Sequence, residues 1–193
     1  MNKEKIKIYI KKILKELGEN PEREGLVDTP NRVARMYEEI FKGYLEPLPK
    51  IVTFDNGQDG IVTKQLITDC GDFYSHCEHH MIPFFGNYYF GYIPSPKGKI
   101  LGLSKVARIV DYHSSKLQIQ ERLVKNIVDD LWNALSKGGM EPPLAMGLVM
   151  RGEHMCKSMR GVKKKGSMVT SEFRGDLVEN VQLRQEFFSL VNL

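Results

Sequence analysis

The sequence predicts an α+β domain built on an antiparallel sheet, and three observations support that expectation. Strand-like and helix-like segments come in blocks and not in strict alternation, which disfavours a doubly wound parallel sheet. At 193 residues, 41% of them hydrophobic and 27% charged, the chain has apolar material for one substantial core. No internal repeat or low-complexity tract interrupts it.

Each element follows from local pattern. Ile6, Ile10, Ile13, Leu14 and Leu17 recur at helical spacing, and Gly18 follows where a C-terminal cap belongs. Thr29 before Pro30 has the order of an N-cap and first helical residue, and Val33, Met36, Tyr37, Ile40 and Phe41 form the stripe of a second helix ending near Gly43. The proline- and glycine-bearing stretch 45–60 predicts a connection. The β-branched and aromatic residues of 61–68 and 84–93 predict strands. Ser104 can cap a short helix through Val106, Ile109 and Val110, and Ile119, Leu123, Ile127, Leu131 and Leu135 mark a longer one over 117–137, stopped by Gly138 and Gly139. Segments 144–150, 153–159 and 167–173 read as further strands, and 181–191 as a closing helix. The exposed edges of such a sheet need protection, and subunit association is one way to supply it.

Composition excludes several function classes. Lys and Arg number 28 against 24 Asp and Glu, a net charge of +4 that is too mild to make nucleic acid or a membrane surface the expected partner. Residues 1–10 mix Lys and Glu with isoleucine and carry no uninterrupted apolar segment, so no secretory signal is expected, and no apolar run elsewhere is long enough to cross a bilayer. The three cysteines, Cys70, Cys77 and Cys156, are too few for a disulfide scaffold and suit metal binding or catalysis in a reducing cytoplasm.

Chemistry concentrates at His76-Cys77-Glu78-His79-His80, which holds three of the five histidines. Cys77 and His80 have the C-x-x-H spacing that lets a thiolate and an imidazole reach one Zn²⁺. Further donors are Cys70, His113 and the pair His154 and Cys156. That last pair lies in an expected strand, where residues two apart share a face, and Cys156 is taken as the third ligand. Three protein ligands leave a position for water, as in catalytic zinc. Structural zinc, or buried thiols with no metal, are the competing readings, and Cys70 would close a Cys3His structural site if it came near.

Cations form the second constellation. Between Arg151 and Lys165 there are six (Arg151, Lys157, Arg160, Lys163, Lys164, Lys165) against the single acid Glu153, beside the third ligand. Lys105 and Arg108 sit at a helix start, where backbone N–H groups and the dipole already favour phosphate, and Arg32 and Arg35 repeat the pattern. A solvated surface is the ordinary fate of such residues, above all of Lys163 to Lys165. Glu121 in the first turns of a helix complements the dipole. It is also a carboxylate able to accept two N–H donors, as a guanine N1 and 2-amino edge requires. No phosphate loop of the G-x-x-x-x-G-K-[ST] form occurs.

Taken together, 73–80 (FYSHCEHH), 84–86 (FFG), 92–94 (YIP), 102–110 (GLSKVARIV), 117–123 (LQIQERL), His154-Met-Cys156 with 159–161 (MRG), and the helix start 28–36 (DTPNRVARM) resemble the GTP cyclohydrolase I family, in motif order from about Pro21 to Val191. The resemblance implies the tunnelling fold (T-fold), an antiparallel sheet with helices on one face, the sheets of several subunits joining into a barrel. It implies a homo-oligomer, commonly a decamer of two pentamers, with active sites between subunits. It divides the chain into an N-terminal helical segment, 1–50, and a zinc-containing catalytic domain, 51–193. The implied activity is a zinc-dependent hydrolysis of GTP to formate and 7,8-dihydroneopterin triphosphate, at the head of tetrahydrofolate or pterin biosynthesis.

Residue by residue, the resemblance implies Cys77, His80 and Cys156 as zinc ligands and His79 and His154 as catalytic histidines. Glu121 is the implied guanine-binding carboxylate, with Gln120 beside it on the substrate side. Arg32, Lys105, Arg108 and Arg160 fall at triphosphate positions, Arg35 stands where some relatives have Lys, and Ser104 falls near the ribose and phosphates. Residues 87–90 (NYYF) and 112–115 (YHSS) depart from the family pattern, and His76, His113 and Cys70 receive no role. A hydrolase that stops at the ring-opened formamide, and a nucleotide-binding module without catalysis, are the competing functions. Retention of both His79 and His154 weighs against the second. A pterin synthase or nitrile reductase with the same sheet would not share the Cys-Glu-His-His and Gln-Glu-Arg combination.

Overall fold

A computed structural model describes residues 1–193, dividing between two units, Met1–Pro47 and Leu48–Leu193. In the first, Asn2 caps α1 (Lys3–Glu16) by accepting from the Lys5 N–H, and Ile6, Ile10 and Leu14 form its half-buried row. Ile13 and Leu17, from the same sequence stripe, are exposed. Helix α2 (Thr29–Ile40) starts one residue earlier than the Thr-Pro pattern suggests, with Asp28 as N-cap and Thr29 already helical. The Asp28 carboxylate caps no backbone group. It accepts from Arg32 Nε at 3.0 Å and Asn31 Nδ2 at 3.1 Å instead, and those contacts, Arg32 foremost, hold its pKa below the usual carboxylate range.

The second unit holds strands β1 (Thr53–Asp55), β2 (Ile67–Cys77), β3 (Pro83–Ile93), β4 (Lys99–Leu101), β5 (Leu117–Gln118), β6 (Ala145–His154) and β7 (Ser167–Gly175). Its helices are α3 (Lys105–Ser114), α4 (Gln120–Leu135), α5 (Met155–Ser158), α6 (Asp176–Glu179) and α7 (Val181–Leu190). The main sheet runs β5-β2-β3-β6-β7 and is antiparallel except for the short parallel contact of β5 with β2. The expected α+β class with an antiparallel sheet is what the chain forms.

Three boundaries differ from expectation, each for a physical reason. The first long strand spans Ile67–Cys77 and not 61–68, because ladder pairing with β3 carries Asp69, Gly71, Asp72 and Ser75 into a strand their propensities oppose. Segments 144–150 and 153–159 are not two strands. One strand, β6, runs through Arg151 and Gly152 to His154, and Met155–Ser158 then turns as a helix. Leu117 and Gln118 pair with β2 before α4 begins, so that helix starts at Gln120. Within the expected connection 45–60, β1 pairs antiparallel with β4.

Strand alternation sorts the sheet's two faces. Phe73, Cys77, Phe84, Tyr88, Phe90, Tyr92, Met146, Leu148 and Met150 face one way and pack with Val106, Ile109 and Val110 of α3 and Leu123, Ile127 and Leu131 of α4. On the opposite face Tyr89, Ile93, Ala145 and Val149 meet Leu177 of α6 and Phe187 of α7. Further along that second face Tyr74 is 71% exposed, stacked on Phe85 at 6.1 Å.

Glycine is obligatory where the central ladder closes up. A Cβ on Gly86 would lie 1.9 Å from the Arg151 carbonyl oxygen, so Gly86→Ala must force β3 away from β6. The expected loss is about 2–4 kcal/mol, in the range of severe single substitutions, read as a lower denaturant midpoint at unchanged slope.

Candidate functional site

One end of the main sheet gathers the residues with chemistry. Strand β2 ends at Cys77, β3 begins one turn later, β6 ends at His154 opposite Phe84, and α4 begins just after β5 leaves Cys77. The segment joining β2 to β3 is a tight reversal in which Cys77 N–H donates to the Ile82 carbonyl at 2.9 Å and Met81 N–H donates to the Cys77 carbonyl at 2.8 Å. Met81 takes a positive φ of 55° to complete it. This reversal presents His79 and His80 outward, while Cys77 stays buried at the edge of the core.

Cys77, His80 and Cys156 form a group whose donor atoms all lie within 4.8 Å of one another. Cys77 Sγ is 3.8 Å from His80 Nδ1 and 3.6 Å from His79 Nδ1. Cys156 comes near the other two by a different route from the shared strand face expected of it. It reaches the group from the first turn of α5, whereas His154 ends the preceding strand. Partial burial, followed by the neighbouring Cys77 sulfur, pushes the Cys156 thiol up. Such a pair of thiols beside an imidazole is a donor set suited to a soft or borderline divalent metal, whose charge would favour the thiolates.

Cys70 takes no part in this group. It lies on β2 an odd number of residues from Cys77, so the two side chains leave opposite faces of the strand, and Cys70 is exposed. A Cys3His structural site through Cys70 is therefore excluded. His113 stands apart as well, buried in α3 with Nε2 2.7 Å from Asp130 Oδ2.

His154 lies flat against Phe84, the ring centroids 4.5 Å apart and the planes 6° from parallel. Its Nε2 is 2.9 Å from Gln120 Oε1. Burial pulls the His154 imidazole below its ordinary value, opposed by the carboxylate of Glu121 and reinforced by Lys157. Glu121 itself is exposed on the first turn of α4. Gln120, by contrast, is 1% exposed, with its amide nitrogen against Met150 O at 3.0 Å, Met168 O at 3.2 Å and Thr170 Oγ1 at 2.9 Å.

The cations divide among several places. Arg160 Nη1 donates to His80 Nε2 at 2.7 Å. A neutral imidazole that ligates a metal through one nitrogen carries its proton on the other, so ligation through either nitrogen excludes this bond. Ser104 occupies the N-cap position of α3 without a side-chain cap bond, and Lys105 and Arg108 follow on its first turns. Arg32 and Arg35 lie on α2 of the N-terminal unit, both directed at Asp28, at 3.0 Å and 3.9 Å.

Sequence reasoning overlooks the residues that hold the others. Arg122 donates to Gln118 Oε1 at 3.0 Å, to the Leu117 carbonyl at 3.2 Å and to the Glu78 carboxylate, tying α4 to the reversal between Cys77 and His80. Thr170, beside Gln120, carries no signal beyond strand propensity, and Phe84, against His154, enters the sequence reading only as part of the 84–86 motif, without a role.

The GTP cyclohydrolase I family model matches residues 6–192. A protein named GTP cyclohydrolase 1 from Caldanaerobacter subterraneus subsp. tengcongensis is 46% identical over 196 aligned positions, covering 100% of this chain and 98% of that protein. One of the same name from Clostridium perfringens is 43% identical with 100% of both chains covered, and one from Thermoanaerobacter pseudethanolicus is 44% identical over 100% of this chain and 98% of its own length. Among solved structures, apo archaeosine synthase QueF-Like aligns over 55% of this chain and 92% of that one at 14% identity and a TM-score of 0.39, too loose a likeness to bear on function.

Proposed function

The chain belongs to the GTP cyclohydrolase I family, and from that membership we propose that it converts GTP and water to formate and 7,8-dihydroneopterin triphosphate, with Zn²⁺ as its metal. The observation that carries the reading is the Cys77, His80 and Cys156 group within one sheet end that also holds His154 and its neighbour Glu121. Incubation with GTP followed by identification of both products tests it. Equimolar formate and a dihydropterin triphosphate are expected; a ring-opened formamide as the final product would contradict it.

Cys77, His80 and Cys156 would hold the metal. A zinc ion held there would supply Lewis acidity, and with it a bound water acidic enough to serve as a nucleophile near neutral pH. The remaining steps fall to side chains. Glu121 accepts from the N1–H and 2-amino group and fixes the base. His79, exposed on the reversal, delivers a proton to N7 as the imidazole ring opens, and His154 moves the second proton. After formate leaves, the ribose opens and rearranges before the pterin ring closes, and Ser104 with the two histidines serves those proton transfers. Lys105, Arg108, Arg160, Arg32 and Arg35 bind the triphosphate.

Arg160 would then have two partners in turn. With the metal in place its bond to His80 is lost, and the guanidinium is released towards the anionic substrate. Arg160→Leu is expected to bind zinc about 1.5- to fivefold more tightly, the range for an exposed charged contact, and to raise KM for GTP. Competitive titration with a chromogenic chelator measures the first. Weaker zinc binding in the variant would contradict the exchange.

The active form would be a homo-oligomer, a decamer with sites between subunits. In support, the nine-residue strand β7 pairs on one side only, and two-residue β5 covers only the end of eleven-residue β2, which leaves long open edges on both sides of the sheet. A cytoplasmic location suits the three free thiols, and no helix is long and apolar enough to cross a membrane.

A further inference from the structure

We infer that Gln120 is a positioning residue for His154 and not a substrate contact: its carbonyl oxygen fixes the orientation of the imidazole and keeps a hydrogen on Nε2, so that Nδ1 is the nitrogen facing away from the amide. The inference rests on the proposed role of His154, and it begins from the surroundings of one amide. Gln120 Nε2 is enclosed by three oxygens, the carbonyls of Met150 and Met168 and the hydroxyl of Thr170, at 3.0, 3.2 and 2.9 Å. An amide nitrogen has two hydrogens to give and fits there. The flipped amide would set its own carbonyl oxygen against two other carbonyl oxygens inside the protein, acceptor facing acceptor. The orientation is therefore fixed by β6 and β7, the strands that carry those oxygens.

With the nitrogen so committed, Oε1 must face His154 Nε2, at 2.9 Å. A carbonyl oxygen only accepts, so Nε2 bears hydrogen whether the ring is neutral or protonated. Phe84 fixes the ring plane by stacking, and Gly152 leaves the space for the amide, since a Cβ there would lie 2.6 Å from Gln120 Oε1. At 1% exposure Gln120 has no surface to offer a ligand, whereas the adjacent Glu121 is exposed. Helical geometry turns consecutive residues by about 100°, which is how one motif supplies an inward support and an outward binder.

The test uses the zinc-loaded full chain and two variants. Gln120→Leu is expected to lower kcat for GTP by about ten- to a hundredfold, the usual cost of removing a partner that orients a working imidazole, with KM and zinc content unchanged. Gln120→Glu, which keeps an acceptor facing His154 and can donate through its acid proton to the carbonyl side, should recover part of the lost kcat. Nitrogen-15 NMR of the wild type should show His154 protonated on Nε2, with that preference lost in Gln120→Leu. A raised KM at unchanged kcat, or wild-type His154 protonated on Nδ1 alone, would overturn the inference. Should Gln120→Leu fail to fold, the wild-type tautomer and Gln120→Glu still decide it. The tautomer needs no turnover, so an inactive wild type would sink the proposed reaction and leave this result separately readable.

Discussion

Cys156→Ala should leave the purified protein without bound zinc and reduce formate release from GTP by at least about a hundredfold, given that even outer-shell changes around catalytic metals cost 10–100-fold. The two remaining donors, Cys77 and His80, come from one reversal and offer an incomplete set, while Cys156 arrives from a different element. The fold should persist, because Cys156 is only partly buried and packs at the margin of the core. Metal analysis, formate assay and thermal unfolding on one preparation separate these outcomes. Full zinc content in the variant would remove Cys156 from the ligand set.

The second large effect is expected from Glu121→Ala, and it is selective. A carboxylate that accepts from both the guanine N1–H and the 2-amino group gives the enzyme a preference for GTP over inosine triphosphate, which lacks the amino group. Charged hydrogen bonds are worth about 1.5–3 kcal/mol each, or roughly 10- to 150-fold, and because inosine triphosphate keeps the N1–H, kcat/KM of the variant should fall by about one such factor more for GTP than for inosine triphosphate. Glu121 is exposed and its loss leaves no buried group unpaired, so stability should barely move. An equal fall for both nucleotides would mean that Glu121 serves His154 or the helix dipole instead of the base.

How far the sequence can be read depends on where the specifying force lies. Spacing alone brings Cys77 and His80 together, since two residues three apart on one reversal can meet around one ion. Residue type points to Cys156, but the path that carries it there is hidden, because local pattern predicts a strand where Met155–Ser158 turns as a helix. The periodic helices are legible, as α4 shows with Leu123, Ile127 and Leu131 at the core. The polar half of β2 is not: Asp69, Asp72 and Ser75 are held in a strand by pairing with Phe90, Asn87 and Phe84, which no local propensity reports. Gln120 is the clearest case of hidden information. Its place beside Glu121 suggests a substrate contact, and only the three oxygens from β6 and β7 reveal an inward, supporting amide.

Formate release measured against zinc content bears most directly on the central claim, that the Cys77, His80 and Cys156 group runs metal-dependent hydrolysis of GTP. Protein stripped with a chelator and reloaded in steps should gain activity in proportion to zinc and saturate at about one ion per chain, as a three-ligand catalytic site requires. Undiminished formate production from the metal-free protein would contradict it.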